Sequence, residues 1–131
     1  MHAARYVTAI VLAHLLVNIV HGAAHQQLHI GLSLVETLFV GVVILACPLL
    51  AMVLLWTSQQ RLGLILLALS MAGSLVFGLC HHFLMTGPDH VGEQAAGPWA
   101  TTFAVTSYLL LLTEAIGTDA GIRFLYRKGA A

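Results

Sequence analysis

Charged residues are scarce in this sequence of 131 residues: five Lys and Arg and five Asp and Glu make up only 8% of it. Because an ordinary soluble domain is about a quarter charged, this scarcity argues against a soluble protein. The formal net charge is zero, so the chain also lacks the basic surface with which proteins bind nucleic acid. Cysteine is scarce too, and Cys47 and Cys80 lie in separate apolar runs, where we expect no structural disulfide.

Linear signatures of catalysis are missing as well. The chain contains no nucleophile motif, no glycine-rich phosphate-binding loop and no H-E-x-x-H metalloprotease sequence. Hydrolysis through a protein nucleophile is therefore unsupported. The sequence alone leaves open whether the protein is an enzyme.

Long apolar runs are what the sequence has in abundance, since 60% of its residues are hydrophobic. A helix needs about 20 apolar residues to cross a bilayer, and four segments meet this length. We predict an all-α integral membrane four-helix bundle that forms a single transmembrane domain over residues 1–131. The predicted helices cover residues 4–28, 34–56, 62–85 and 99–122, with an outer loop at 86–98.

All five basic residues fall at one end of this predicted bundle. Arg5 precedes the first helix, Arg61 lies between the second and third, and Arg123, Arg127 and Lys128 follow the fourth. Lys and Arg accumulate on the cytoplasmic side of a membrane. We therefore expect both termini in the cytoplasm and the opposite end of the bundle to face the periplasm or cell exterior.

Histidine and carboxylate side chains gather at that opposite end. Ionisable groups in or beside the hydrocarbon region usually mark function, and imidazole and carboxylate groups are ligands of zinc, iron and copper. We predict a site for such a transition metal. The number of candidates favours either two metal ions or one ion with supporting residues around its ligands; the candidates are His21, His25, His81, His82, Asp89 and His90.

The first helix carries a polar stripe on an otherwise apolar surface. At about 100° per residue, its members fall within an arc of about 80°, so they share one helix face. His21 and His25 are separated by four residues, a spacing that lets two imidazoles reach one metal ion. The full stripe consists of His14, Asn18, His21, His25 and His29.

In the third helix, His81 and His82 are adjacent and should point about 100° apart. His81 lies in helical register with Ser70 and Ser74, so we expect His81 to face inward. In the loop beyond, Asp89 fits either a metal ligand or the acceptor that orients a ligating imidazole.

Three further residues are candidates for proton transfer: Glu36, Glu114 and His14. Ser33-Leu34-Val35-Glu36 is also a capping box, in which Glu36 would close the start of the second helix. Glu114 lies deep in the fourth helix, at a depth comparable to His14, and a contact between the two is plausible. An equally good interpretation is that Glu114 makes a single hydrogen bond between helices.

Three classes of function fit these features. The favoured one is an integral membrane metalloprotein, either a metal-dependent enzyme or a redox protein, that acts on a lipid-soluble substrate such as a quinone. The second is a single-haem b-type protein with His25 and His81 as ligands, an arrangement that loosely resembles four-helix membrane cytochromes b in having histidines on two helices. The third is a proton-coupled transporter or pH-sensing subunit. The lipid bilayer is the expected partner, and the sequence leaves open whether the chain forms a homo-oligomer.

Overall fold

A computed structural model describes residues 2–129 of the chain, with side chains for residues 2–127. These residues form helices and no strands. Four helices are long and apolar enough to cross a membrane: α1 (His2–Gln27), α2 (Leu34–Leu54), α3 (Gln60–Leu84) and α4 (Pro98–Gly129). The predicted helical class and the four long apolar helices are therefore confirmed. Helix α4 continues past its predicted end at residue 122, because hydropathy detects only the apolar part of a helix.

Local signals in the sequence define the connection between α1 and α2. At the end of α1, His29 adopts a left-handed conformation with φ 56°, and the Ile30 amide donates to the His25 carbonyl at 2.9 Å. This is the Schellman pattern that commonly ends helices. Helix α2 then begins with the predicted capping box, in which Ser33 and Glu36 each accept a hydrogen bond from the other's backbone amide.

Helix α4 is the central packing element of the bundle, since α1 and α3 both pack along it. The half of the bundle that contains Arg5 and Arg123 is called the inner half, and the opposite half is called the outer half. The inner half is filled by an apolar cluster whose fully buried members include Val7, Leu64 and Leu67. Helix α2 packs on α3 and meets α1 mainly through its last segment, Cys47–Leu54. The outer halves of α1 and α2 therefore make few contacts with each other.

Two of the helices contain π-helical segments, Val40–Ala46 in α2 and Cys80–Leu84 in α3. The first lies just before Pro48, which lacks an amide hydrogen and whose ring crowds the preceding turn. A π-helical turn takes up one more residue than an α-helical turn, and such turns are frequent at functional sites. The second segment contains His81 and His82, so it determines which histidine faces the bundle interior.

Close packing between α3 and α4 depends on Gly121. A Cβ atom at this position would lie 2.9 Å from both the backbone nitrogen and the Cβ of Ala68. We expect Gly121→Ala to lower the free energy of unfolding by about 1–3 kcal/mol, because backbone atoms cannot move aside as a side chain can. The matched control is Gly41→Ala, where an added Cβ meets nothing within 4 Å. The control should be neutral or stabilising by up to about 1 kcal/mol.

Denaturant titration in mixed micelles, followed by circular dichroism, measures both variants. Equal unfolding midpoints for the two would contradict the close approach of α3 and α4 at Gly121.

Candidate metal centre

The polar stripe of α1 brings two histidines together at the outer end of the bundle. His21 is buried and His25 is half-buried. Their Nε2 atoms lie 3.1 Å apart, as the i, i+4 spacing predicts. His29, the last member of the stripe, is exposed and ends the helix instead.

Helix α3 contributes His82 to this site, and the expectation that His81 faces inward is wrong. His82 is buried, whereas His81 is only half-buried, stacks on Phe77 and points its Nδ1 toward Glu36 Oε1 at 3.6 Å. The π-helical segment Cys80–Leu84 explains the difference. Its extra residue shifts the helical register by one, so His82 occupies the inward position that an unbroken α-helix would give to His81.

The loop after α3 folds back over the helix end and adds Asp89. The Val91 amide donates to the His82 carbonyl at 3.0 Å, which holds the loop against the helix. Asp89 Oδ1 then lies 3.2 Å from His25 Nε2 and 3.2 Å from His82 Nδ1. Both carboxylate oxygens are buried, yet neither completes a hydrogen bond of normal geometry with the described residues. A cation would satisfy such a carboxylate.

The electrostatic environment of Asp89 favours its charged form. Burial alone would raise the pKa of its carboxyl group. The adjacent imidazoles of His25 and His82 outweigh burial and hold this pKa well below its ordinary value. The site therefore contains a carboxylate anion beside imidazole nitrogens, which is a ligand set suited to a divalent metal.

His21, His25 and His82 form the histidine cluster, and this cluster could hold a metal ion. One ring nitrogen from each lies within 4.8 Å of the others. Ligands at 2.0–2.1 Å in a tetrahedral zinc site are about 3.3 Å apart. The 3.1 Å between His21 and His25 nitrogens and the 3.2 Å from His25 to Asp89 are close to that spacing.

Hydrogen bonds outside the cluster fix the protonation of two of its rings. The Thr106 hydroxyl donates to the Thr102 carbonyl at 2.7 Å, so it accepts at 2.8 Å from His21 Nδ1. The His82 Nδ1 donates to the Asp89 backbone carbonyl at 3.0 Å. Because each Nδ1 carries the proton, both Nε2 atoms keep a lone pair for a metal. Phe103 supports the cluster by stacking on His21, with ring centroids 4.9 Å apart.

The predicted ligand His90 lies outside the histidine cluster, and its Nδ1 accepts a hydrogen bond from the Gly92 amide. Glu36, a candidate for proton transfer, closes the capping box and faces His81. Sequence reasoning also missed Thr106. It lies on α4 one turn from Phe103. Its hydroxyl group alone did not distinguish it, because α4 also contains Thr101, Thr102, Ser107, Thr113 and Thr118.

The deeper polar residues form a separate group. His14 is buried and contacts the Thr113 hydroxyl at 3.3 Å and the Ile44 carbonyl at 3.2 Å. His14 therefore contacts Thr113, the neighbour of Glu114, and no hydrogen bond joins His14 to Glu114 among the described residues. Glu114 is buried, and its Oε2 atom has no hydrogen-bond partner among the described residues.

A cavity of about 370 Å³ joins these two groups of polar residues. It lies between the outer halves of α1 and α2 and is bounded on its other sides by α3 and α4. Most of its lining is apolar, and the histidine cluster and Asp89 contribute to its wall at the outer end. Pockets of this size with a few polar groups are typical of small-molecule sites.

Comparison of the chain with protein-family models, curated proteins and solved structures finds no match. The residues of the site are therefore what indicate the function.

Proposed function

We propose that this chain is an integral membrane metalloprotein whose metal site faces the periplasm or cell exterior. The observation that carries the proposal is the convergence of His21, His25 and His82 from two helices, with the buried Asp89 carboxylate beside them. The Asp89 carboxylate has no hydrogen-bond partner among the described residues, and such a buried group is unfavourable in an apolar setting unless a cation binds it.

The distribution of residues supports a position in the membrane. The four helices are long and apolar enough to span it, and many of their large apolar side chains are exposed on the outside of the bundle. The five Lys and Arg residues lie at the end opposite the histidine cluster. By the positive-inside rule, that end is cytoplasmic and the cluster is extracytoplasmic.

One bound ion fits the cluster better than two. The three imidazoles of the histidine cluster can share one ion, with the Asp89 carboxylate beside His25 and His82, while His81 and His90 contact other residues. This ligand set suits zinc, iron or copper. Such an ion can act as a Lewis acid or, for iron and copper, as a redox centre. Because the cavity opens beside the cluster, we propose a lipid-soluble substrate for this protein.

The haem alternative receives less support from the contacts. It requires His25 and His81 to hold one iron between them. His25 lies against His21 and His82, whereas His81 lies against Phe77 and Glu36. No contact between His25 and His81 is recorded among the described residues.

The test is elemental analysis and an absorption spectrum of the full chain, purified in detergent with an affinity tag that contains no histidine. We expect about one zinc, iron or copper ion per chain, as a single mononuclear site requires. An intense Soret band would establish haem in its place. A folded protein that contains no metal, and takes none up after treatment with a chelator and reloading, would refute the proposal.

A further inference from the structure

Two carboxylates among the described residues line the apolar cavity: Asp89 lies beside the histidine cluster, and Glu114 lies apart from it. The Glu114 side chain is only 2% exposed, and its Oε2 atom has no hydrogen-bond partner among the described residues. A buried polar atom without a partner is destabilising, and native proteins rarely retain one without a reason. A ligand in the cavity would supply the missing partner.

Gly78 of α3 separates Glu114 from the histidine cluster. A Cβ atom at residue 78 would lie 3.7 Å from Glu114 Oε2 and 3.8 Å from His82 Cδ2. A single methyl group would thus touch both side chains. A compact ligand beside Gly78 can therefore contact the carboxyl group and the edge of the cluster at the same time.

We propose that the cavity binds a neutral lipid-soluble phenol, whose hydroxyl group donates a hydrogen bond to Glu114. This inference names the substrate class of the proposed metalloprotein and therefore rests on the function proposed above. The cavity walls are mainly apolar, which suits the body of such a molecule. Phe77 and the rings of His21 and His82 also line it and contribute aromatic surface to its wall.

The charge of the site argues for a neutral ligand with a hydroxyl donor. A cation in the cavity would be repelled by the metal ion proposed for the histidine cluster, and an anion would lose its hydration on entering the mainly apolar cavity. A phenol carries no charge and offers one hydrogen-bond donor. A site built to bind a hydroxyl group discriminates strongly against the same molecule without it, because its own polar group is then left unpaired.

The route into the cavity also suits a ligand dissolved in the bilayer. The outer halves of α1 and α2 make few contacts with each other, and cavity-lining residues come from both helices at this level, among them Ile19, Gly22 and Val40. In a membrane, this side of the bundle faces lipid. A phenol with an alkyl tail can enter here without passing through water.

The experiment uses the full chain in lipid nanodiscs with tritiated 4-octylphenol as the probe and empty nanodiscs as the background. Unlabelled 4-octylphenol and 4-octylanisole compete for the site, and the anisole differs in having a methyl ether in place of the hydroxyl group. We expect the phenol to compete at least about 10-fold more strongly, the effect of one buried hydrogen bond. Equal competition by the two compounds would overturn the inference.

Two pairs of variants locate the interaction. Glu114→Leu should abolish the preference for phenol over anisole, whereas Glu114→Gln, which keeps a carbonyl acceptor, should retain most of it. Gly78→Ala should weaken the binding of both compounds, because its methyl group fills part of the cavity. Gly41 does not line the cavity, so Gly41→Ala should leave the binding of both unchanged. If Glu114→Leu lowers the affinity for phenol and anisole equally, Glu114 has only a structural role and the inference is wrong.

Metal analysis of the same samples separates the two proposals. Metal-loaded protein that does not distinguish phenol from anisole would overturn this inference and leave the metal site standing. Protein that takes up no metal on reloading and still distinguishes them would support the phenol site and refute the metal site.

Discussion

Replacing His82 with alanine should abolish metal binding, whereas His81→Ala should leave it intact. His82 is buried in the histidine cluster, and His81 contacts Phe77 and Glu36 outside it. Loss of a residue that only orients a ligand typically lowers metal affinity 10- to 100-fold. Loss of His82 as a direct ligand should exceed this and lower the affinity by more than about 100-fold.

Competition with a chromogenic chelator in detergent measures the affinity of both variants, and size-exclusion chromatography checks that each remains folded. The two residues are adjacent and chemically identical, so the pair controls for the general effect of removing an imidazole. Loss of metal in His81→Ala with retention in His82→Ala would show that the π-helical register of α3 is wrong.

Thr106→Val should weaken metal binding by about 10- to 100-fold although Thr106 is not a ligand. Its hydroxyl group accepts a hydrogen bond from His21 Nδ1 at 2.8 Å. Valine has nearly the same shape but cannot accept, so His21 loses the bond that keeps its proton on Nδ1. The proton of His21 can then move to Nε2, where it occupies the lone pair that faces His25.

Thr106→Ser is the matched variant, since it keeps the hydroxyl group and removes only a methyl group. We expect its metal affinity to stay within about threefold of the unaltered protein, because the hydrogen bond to His21 remains. A similar loss of affinity in both variants would mean that Thr106 acts through packing of its methyl group and not through the imidazole.

Helix α1 shows what the sequence can predict about the site. It is a regular helix over His2–Gln27, so residue spacing translates directly into direction. The pairing of His21 with His25 and the burial of His14 follow from that regularity. The capping box of Ser33 and Glu36 was predictable for the same reason, because the residues that interact are close in sequence.

Helix α3 and its loop show where sequence reasoning ends. The π-helical segment at Cys80–Leu84 has no reliable sequence signature, and it replaces His81 with His82 in the interior. Asp89 was a candidate from its residue type, but its position depends on how the loop packs over the helix end. Thr106 was missed because its role exists only through a contact with α1, 85 residues away in the sequence.

The π-helical turn in α3 has a consequence for mutation and divergence of this chain. One residue deleted from a regular helix rotates everything beyond it, and the deletion usually disrupts packing. Here the helix already contains a surplus residue, so a deletion within Cys80–Leu84 would restore ordinary α-helical geometry. Deletion of Cys80 would move His82 to the position of His81, which an unbroken α-helix turns inward, so a histidine would still face the other two. Relatives that are one residue shorter at this turn would thus keep both the fold and a histidine in the bundle interior.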